Sequence, residues 1–568
     1  MSTTGIYGLS GSGIDVDSMV KVGMMTKQNQ YDKMYKEEIK NEWMKEAYAN
    51  LYSDLNTFNQ STLSNYKMSS VTSPMLADSS STSVTTAVAN ADAASMTHTV
   101  TVSSLATNAY LQTNKDGITR NASTDKDKST SIYLKDILYS ASDLASQMTT
   151  YNGMSEEAQG NVALSFTISD GDTSESGSGT SKEISFTYKE LFSDNLTLND
   201  LATKIKNSGV NVQASYDSVN DSFAIYQKTG GKANQINLSV GTGTTDAEVR
   251  ASTLLNNLNL AAVTTDKTTG TQSLTDLADF SSSNTSSSTS GTNGTAIIDG
   301  KQYDTTSSKV TVANVTYTLT GKGTSTVSVT QDTDKIVENV KQFVTDYNKM
   351  IDSLNDKYYE KQYSDYGVLT KSQESAMTQD QITKWNEKAK SGLLYHDSTL
   401  GKVISSMREA LYTPVDSASG NYNTMMSIGI TSSTDQGHIT LDETKLKKAL
   451  AAEPNCVREI FSNSGDTTTT AADGTTTTTT DYKSEGVMNR ISDMLYTNLK
   501  TMKRYSGDST ETSDGSTLGD LIENLKTKMS DFKTQMDAYQ KALYDKYDAM
   551  ESAIQQLSVQ LGYITGGN

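Results

Sequence analysis

A chain of 568 residues with a formal net charge of −19 and a single cysteine can be bounded before any motif is sought. Its length allows roughly four domains with separate cores, and Cys456 has no second cysteine to pair with, so no intrachain disulfide staples the fold. The acidity excludes a nucleic-acid binder, whose affinity rests on basic patches that neutralise phosphates, and it disfavours an anionic membrane surface. No apolar run reaches the eighteen or so residues of a transmembrane helix. The N-terminus shows neither the charged nor the apolar region of a cleaved signal, which predicts a cytosolic protein unless a dedicated export machine reads another signal.

Ser2 to Gly13 is rich in Gly and Ser and reads as a mobile leader. Asp15 is a candidate N-cap with Ser18 three residues on, and the spacing predicts a helix from Val16 to about Lys67. In its later half Met44, Tyr48, Leu51, Leu55 and Phe58 recur at steps of four and three, one apolar stripe. From Ser69 the composition turns to Ser, Thr, Ala and Val, and Pro74 marks the break. Thr97 to Val102 alternates with His98, Val100 and Val102 on one face, a half-buried strand in which His98 reads as structural.

Strands are predicted at Ser165 to Ile168, Ile184 to Tyr188, Val210 to Tyr216 and Ser222 to Gln227, around a short amphipathic helix from Thr197 to Lys206. Together they describe an α+β unit. Asp266 to Gly294, mostly Ser, Thr, Gly and Asn, reads as a loop or linker. A second strand set follows at Ala296 to Asp299, Lys309 to Leu319 and Ser325 to Thr330. Asp332 or Asp334 then caps a long helix whose stripe is Ile336, Val340, Phe343, Tyr347, Ile351, Leu354 and Tyr358. Thr378 to Lys390, Ser398 to Tyr412 and Ile439 to Leu450 add helical turns, Thr467 to Thr480 reads as a polar exposed loop, and Gly486 to Met502 is again helical.

The strongest pattern is the last. Leu518, Ile522, Leu525, Met529, Phe532, Met536, Tyr539 and Leu543 alternate steps of four and three. The run slips once at Tyr547, a stutter that locally unwinds a supercoil, and resumes through Met550, Ile554, Leu557, Leu561 and Ile564. With no Pro or Gly between Asp520 and Leu561 the helix extends roughly 70 Å at 1.5 Å per residue. A rod of that length needs partners, and the stripe from Met44 to Phe58 is a natural one. The reading is a multidomain α+β protein with a terminal coiled-coil stalk (residues 1–68 and 503–568), a helical-bundle leg (69–125 and 331–502) and two β-rich head domains (126–330). Both terminal stripes are the expected assembly interface. The alternative is one long helix of an intramolecular bundle.

Chemical motifs are missing. The sequence holds no phosphate-binding loop, no His-Glu-x-x-His, no Cys-x-x-Cys and no Gly-x-Ser-x-Gly. His98, His396 and His438 lie far apart, and Asp170-Gly171-Asp172 fails as a calcium loop because Glu175 and Ser181 stand at its sixth and twelfth positions. No catalytic, cofactor-binding or metal-ligating residue is assigned, and a non-enzymatic role is expected.

In the order of its segments the chain resembles the bacterial flagellar filament-capping proteins, the hook-associated protein 2 family. The resemblance runs through Ser12-Gly13-Ile14-Asp15 and the following helix, Thr99-Val100-Thr101-Val102 with Leu105-Ala106 after it, and the unit from Thr197 to Ile225. It continues in Phe343-Val344-Thr345-Asp346-Tyr347-Asn348, in Ile428-Gly429-Ile430 before the strand from Gly437 to Leu441, and in the heptad C-terminus. It departs in the Ser/Thr-rich inserts at Asp170 to Lys182, Asp266 to Gly294 and Thr467 to Thr480.

The resemblance implies a protein secreted unfolded through the flagellar type III export channel, after release from an export chaperone, that assembles as a homo-oligomeric ring at the filament tip. There it lets flagellin fold and insert and keeps it from leaking away. Its stalk sits on the open filament or on the hook-filament junction protein, and its head forms a plate that in some members contacts host mucin. A chain without disulfides and with three prolines fits threading and refolding. The alternatives are a coiled-coil-stalked surface adhesin, which would normally carry a secretion signal or anchor, and another axial protein, flagellin or the junction protein.

Overall fold

The computed structural model describes residues 15–121, 132–171, 179–241, 244–265, 272–275, 286–434, 436–470, 473, 475–507 and 514–565. The Gly/Ser leader and most of the calcium-like segment lie outside them. The chain divides into two compact units, one made of Met1–Pro74 with Asp332–Asn568 and the other of Met75–Gln331.

The first unit is helical. Asp15 caps α1 (Val16–Thr57), its carboxylate accepting from the Ser18 amide at 3.0 Å. A π-helical turn, Phe58–Leu63, carries the chain onward. Asp332 accepts from the Lys335 amide at 2.9 Å and opens α2 (Thr333–Tyr358). α3 (Ser398–Tyr412), α4 (Val487–Ser506) and α5 (Thr517–Thr565) complete the main helices. The α2 stripe from Ile336 to Leu354 is buried against Leu51 and Leu55 of α1, Leu63 and Tyr66 beyond it, Val403 and Met407 of α3, and Ile491 and Leu495 of α4. Tyr66 and Phe461 meet Phe343 edge-on at 5.3 and 5.1 Å, the geometry that the aromatic quadrupole favours.

Two expectations in this unit are corrected. Ile439 to Leu450 is not one helix: Ile439–Leu441 is a strand paired with Ile430–Ser432, and the helix, Glu443–Ala452, starts only after its cap, Asp442. The Thr-rich tract is not a loop but a hairpin, Ser464–Thr470 against Thr476–Glu485. β-branched threonines fit a pleated ribbon even where no apolar alternation announces one.

The second unit is β-rich. Its labelled strands are β1 (Met75–Ser79), β2 (Thr85–Ala89), β3 (Thr97–Ser104), β4 (Gly294–Ile298), β5 (Lys301–Thr305), β6 (Lys309–Val312), β7 (Val315–Leu319) and β8 (Gly323–Gln331). An antiparallel sheet in the order β1-β8-β3-β4-β5 and a smaller one, β6-β7-β2, enclose Val100, Val102, Ile298, Tyr317, Val327 and Val329. A second core gathers Phe166 and Ile168, Leu201 and Ile205 of the helix Leu198–Lys206, Phe223, and Leu254 of the helix Asp246–Asn257. His98 is buried with Nδ1 2.6 Å from Asp299 Oδ2, a packing role.

The expected boundaries also move. Residues 75–125 belong to the β-rich unit and not to the leg, because β3 pairs with β4 and β8 and is thereby bound into its sheet. The β-rich unit therefore begins at Met75, where the expected β-rich part began at 126. Lys309 to Leu319 is two strands, since Ala313 and Asn314 both take left-handed backbone (φ 50 and 63) and reverse the chain as a two-residue hairpin turn does. Within 266–294, read as a linker, Gln272–Thr275 pairs with Ala262–Thr265 and Ser286–Thr289 pairs with Tyr110–Thr113.

Candidate assembly interface

α5 opens at Ser516, whose hydroxyl accepts from the Gly519 amide at 3.0 Å. From there it runs antiparallel to α1. Lys45 pairs with Asp514, Lys526 Nζ lies 2.7 Å from Glu42 and 3.3 Å from Glu38, and Lys27 sits over the Phe532 and Tyr539 rings at 5.3 and 5.7 Å. Tyr544 donates to Asp17 at 3.0 Å near the start of α1. Along this length Leu518, Ile522, Leu525, Met529, Met536 and Leu543 are buried and Phe532 is half-buried, while Tyr539 is exposed.

The helices pack closely at Gly23, where an added Cβ would stand 2.8 Å from Leu543 Cδ1. Gly23→Ala is expected to be near neutral: it gains up to about 1 kcal/mol of helix propensity, and the flexible Leu543 tip can shift. Gly23→Phe is expected to splay this end of the pair and cost about 1 to 3 kcal/mol. Spin-label distances between α1 and α5 separate the two; equal distances in both variants would show that the glycine does not set the crossing.

Past Tyr544, α5 continues for about 30 Å. On this stretch Tyr547 and Ile554 are half-buried, Met550 is exposed, and Leu557, Leu561 and Ile564 are 63, 60 and 79% exposed. Val559 and Tyr563, outside the heptad spacing, are exposed too, as are Val22 and Met25 on α1. The stutter at Tyr547 thus coincides with the point where α1 stops covering the seam. Spacing alone could not mark Val559, Tyr563, Val22 or Met25, because they lie off the stripe.

The stripe from Met44 to Phe58, expected to pair with the C-terminal one, packs elsewhere. Tyr48, Leu51, Leu55 and Phe58 are buried in the leg core, with Met44 half-buried at its margin. They do not face the C-terminal seam, a correction with a simple cause. α5 is joined to α4 by a short connection and enters alongside α1 at Lys45 and Asp514, so it runs back from there towards the start of α1 and leaves Tyr48 onward to α2 and α4.

Charge supports the pairing. Burial and the adjacent Glu42 carboxyl push Glu38 up. Burial works to raise Glu42 as well, but the hydrogen bonds from Lys526 and Glu38 outweigh it and hold Glu42 low. Burial likewise opposes ionisation of Asp514, yet the Lys45 ammonium and the Ser516 hydroxyl and amide hold it below its usual 3.8. A carboxyl lowered by folding lends stability above its unfolded value and loses it as pH falls through the lowered one. The α1–α5 pair should therefore loosen in acid below about pH 4, and Asp514→Asn should flatten that part of the melting-temperature profile. An unchanged profile would show that the Lys45 contact carries no weight.

Among the described residues no group of three or more His, Cys, Asp or Glu side chains is placed to hold a metal ion, and no helix is long and apolar enough to cross a membrane. What the fold defines is a scaffold: terminal helices paired over part of their length, one of them ending in exposed apolar side chains. The family model for the flagellar hook-associated protein 2 N-terminus matches residues 12–109, and that for its C-terminus matches residues 291–559. The chain belongs to the flagellar hook-associated protein 2 family.

Flagellar hook-associated protein 2 of Halalkalibacterium halodurans is 26% identical over 563 residues, 97% of each chain. The Salmonella typhimurium protein of the same name is 23% identical over 349 residues, 59% of this chain and 66% of that one. The crystal structure of the D1-D2-D3 domains of the Escherichia coli flagellar cap protein FliD aligns with 84% of this chain and 99% of its own, at a TM-score of 0.45 and 18% identity.

Proposed function

We propose that this chain is a non-enzymatic assembly protein that caps the distal end of the bacterial flagellar filament as a homo-oligomeric ring. It promotes the folding and insertion of flagellin beneath it and prevents flagellin from leaking away. The observation that carries this reading is the apolar end of α5, where Leu557, Val559, Leu561, Tyr563 and Ile564 are exposed beyond the stretch that α1 covers. An exposed apolar stripe on an acidic chain is a surface kept for partners. Those partners are neighbouring copies, flagellin and the hook-filament junction protein. Family membership supports the same role, and with it delivery to the filament tip by the flagellar type III route after release from an export chaperone.

Electron microscopy of filaments labelled with antibody to this chain tests the reading. Label is expected at one end of each filament. Label along the whole shaft would make the chain a filament subunit and reject the cap.

A further inference from the structure

The Thr-rich hairpin, Ser464–Thr470 and Thr476–Glu485, is fixed at its base by Arg490 of α4. This side chain is fully buried, and its guanidinium donates to four backbone carbonyls, Thr413 at 2.6 Å, Pro414 at 2.7 Å, Tyr482 at 2.7 Å and Lys483 at 2.6 Å. It also stacks over the Tyr482 ring at 5.3 Å. Desolvating a cation is costly, and here the cost is met by bonds that tie the hairpin base to the end of α3. A base held this firmly sets the direction of the arms.

The arms are exposed where they are described, the first strand from Thr468 to Thr470 and the second from Thr476 to Lys483. Among the described residues they form a sheet of two strands only, with Thr468 and Thr478 hydroxyls 3.3 Å apart, Thr470 and Thr476 at 3.5 Å, and Thr480 donating to Asp466 at 2.7 Å. A two-stranded ribbon is marginal in water without further cover. Natural sheets guard such edges with Lys, Pro or bulges. Here every residue of 467–470 and 476–480 is Thr, and the one register shift lies at the base, between Ser464 and Asp466. On a chain of net charge −19 the Thr runs 467–470 and 476–480 carry no charge, and the carboxylates of the hairpin, Asp466, Asp473, Asp481 and Glu485, lie at its base and tip, so two copies can bring these runs together with little repulsion.

We propose that this hairpin joins neighbouring copies by β-augmentation, the outer edge of the first strand in one copy laddering with the outer edge of the second strand in the next. The proposal rests on the ring reading above. Because the two edges differ, the contact is head-to-tail, and closing the ring leaves no edge exposed. Roughly four copies supply the eight or so strands of a small closed barrel. A uniform Thr tract also presents Thr to Thr after a slip, so neighbours can slide without losing the ladder.

The test uses two full-length variants, Thr468→Cys and Thr478→Cys, mixed as monomers, assembled and oxidised. Cys456 is buried and its thiol is pushed up to about 12 by that burial, so the introduced thiols report alone. Paired strands bring Cα atoms to about 5 Å, within disulfide reach. The mixture is expected to give several-fold more cross-linked dimer than either variant alone. Equal cross-linking within one variant, or none in the mixture, overturns the proposal. Replacing residues 467–479 by Asn-Gly joins the partners Asp466 and Thr480 through a two-residue turn. This variant should melt like the parent and associate at least about a hundredfold more weakly, the loss of two or more net hydrogen bonds. If it forms the same ring at the same concentration, the hairpin contact is wrong and the ring stands. A parent protein that stays monomeric at every concentration sinks the ring reading itself.

Discussion

Changing Leu557 and Leu561 together to Asp is expected to leave the protein folded and to abolish its assembly. Both side chains are more than half exposed, so the substitution removes little internal packing and should shift stability by no more than about 0.5 kcal/mol. In an assembled seam the balance reverses. Burying a leucine is worth about 1.5 to 3 kcal/mol, so two lost leucines alone weaken each contact by about a hundredfold, and a carboxylate forced into the same site adds to that. In a motile host lacking its own copy, the variant should be made and exported at parental levels. Flagellin should nonetheless accumulate in the medium, and filaments should be short or missing. Full-length filaments from this variant would remove the C-terminal seam from the assembly surface.

Leu51→Ala should do the opposite. Leu51 is fully buried among α1, α2 and α4, and truncating a core leucine costs about 2 to 5 kcal/mol, part transfer and part cavity. For a unit of this size that lowers the melting temperature by roughly 3 to 8 °C. Assembly would fail only where the leg fails to fold. If the residue faced the C-terminal seam instead, the leg would melt unchanged and association alone would suffer. Calorimetry on the purified variant, beside a sizing experiment well below its melting point, separates the two.

The contrast between these substitutions marks what a sequence can and cannot say. Met44 to Phe58 and Leu518 to Leu543 carry the same four-three spacing, and each does form one helical face. Spacing encodes a face but not its occupant: the first stripe is covered by α2 and α4, the second by α1 from Asp17 to Lys45. α5 itself was legible from end to end because nothing interrupts its helix. Ser222–Gln227 was legible because turn residues bound a short β-branched and aromatic run.

The Thr hairpin was not legible, since uniform threonine has no alternation to read. The unit to which residues 75–104 belong is not legible either, for another reason. Their unit is decided by pairing with Thr295 to Ile298 and Gly323 to Ser328, far down the chain, and no local pattern carries that information. Spacing marks the end of α5 as an apolar stripe, but its exposure depends on where α1 stops covering it.

α1 has 42 residues and no Gly or Pro after Gly23. One end of it is gripped by α5 and the other is embedded in the leg core. Mechanically it is a single shaft about 63 Å long, with no swivel between grip and bearing. Any torque applied to the paired ends therefore arrives at Leu51 and Leu55 as a force on a close-packed core, which yields little before it moves as a body. The leg is geared to its stalk and turns when the stalk is turned.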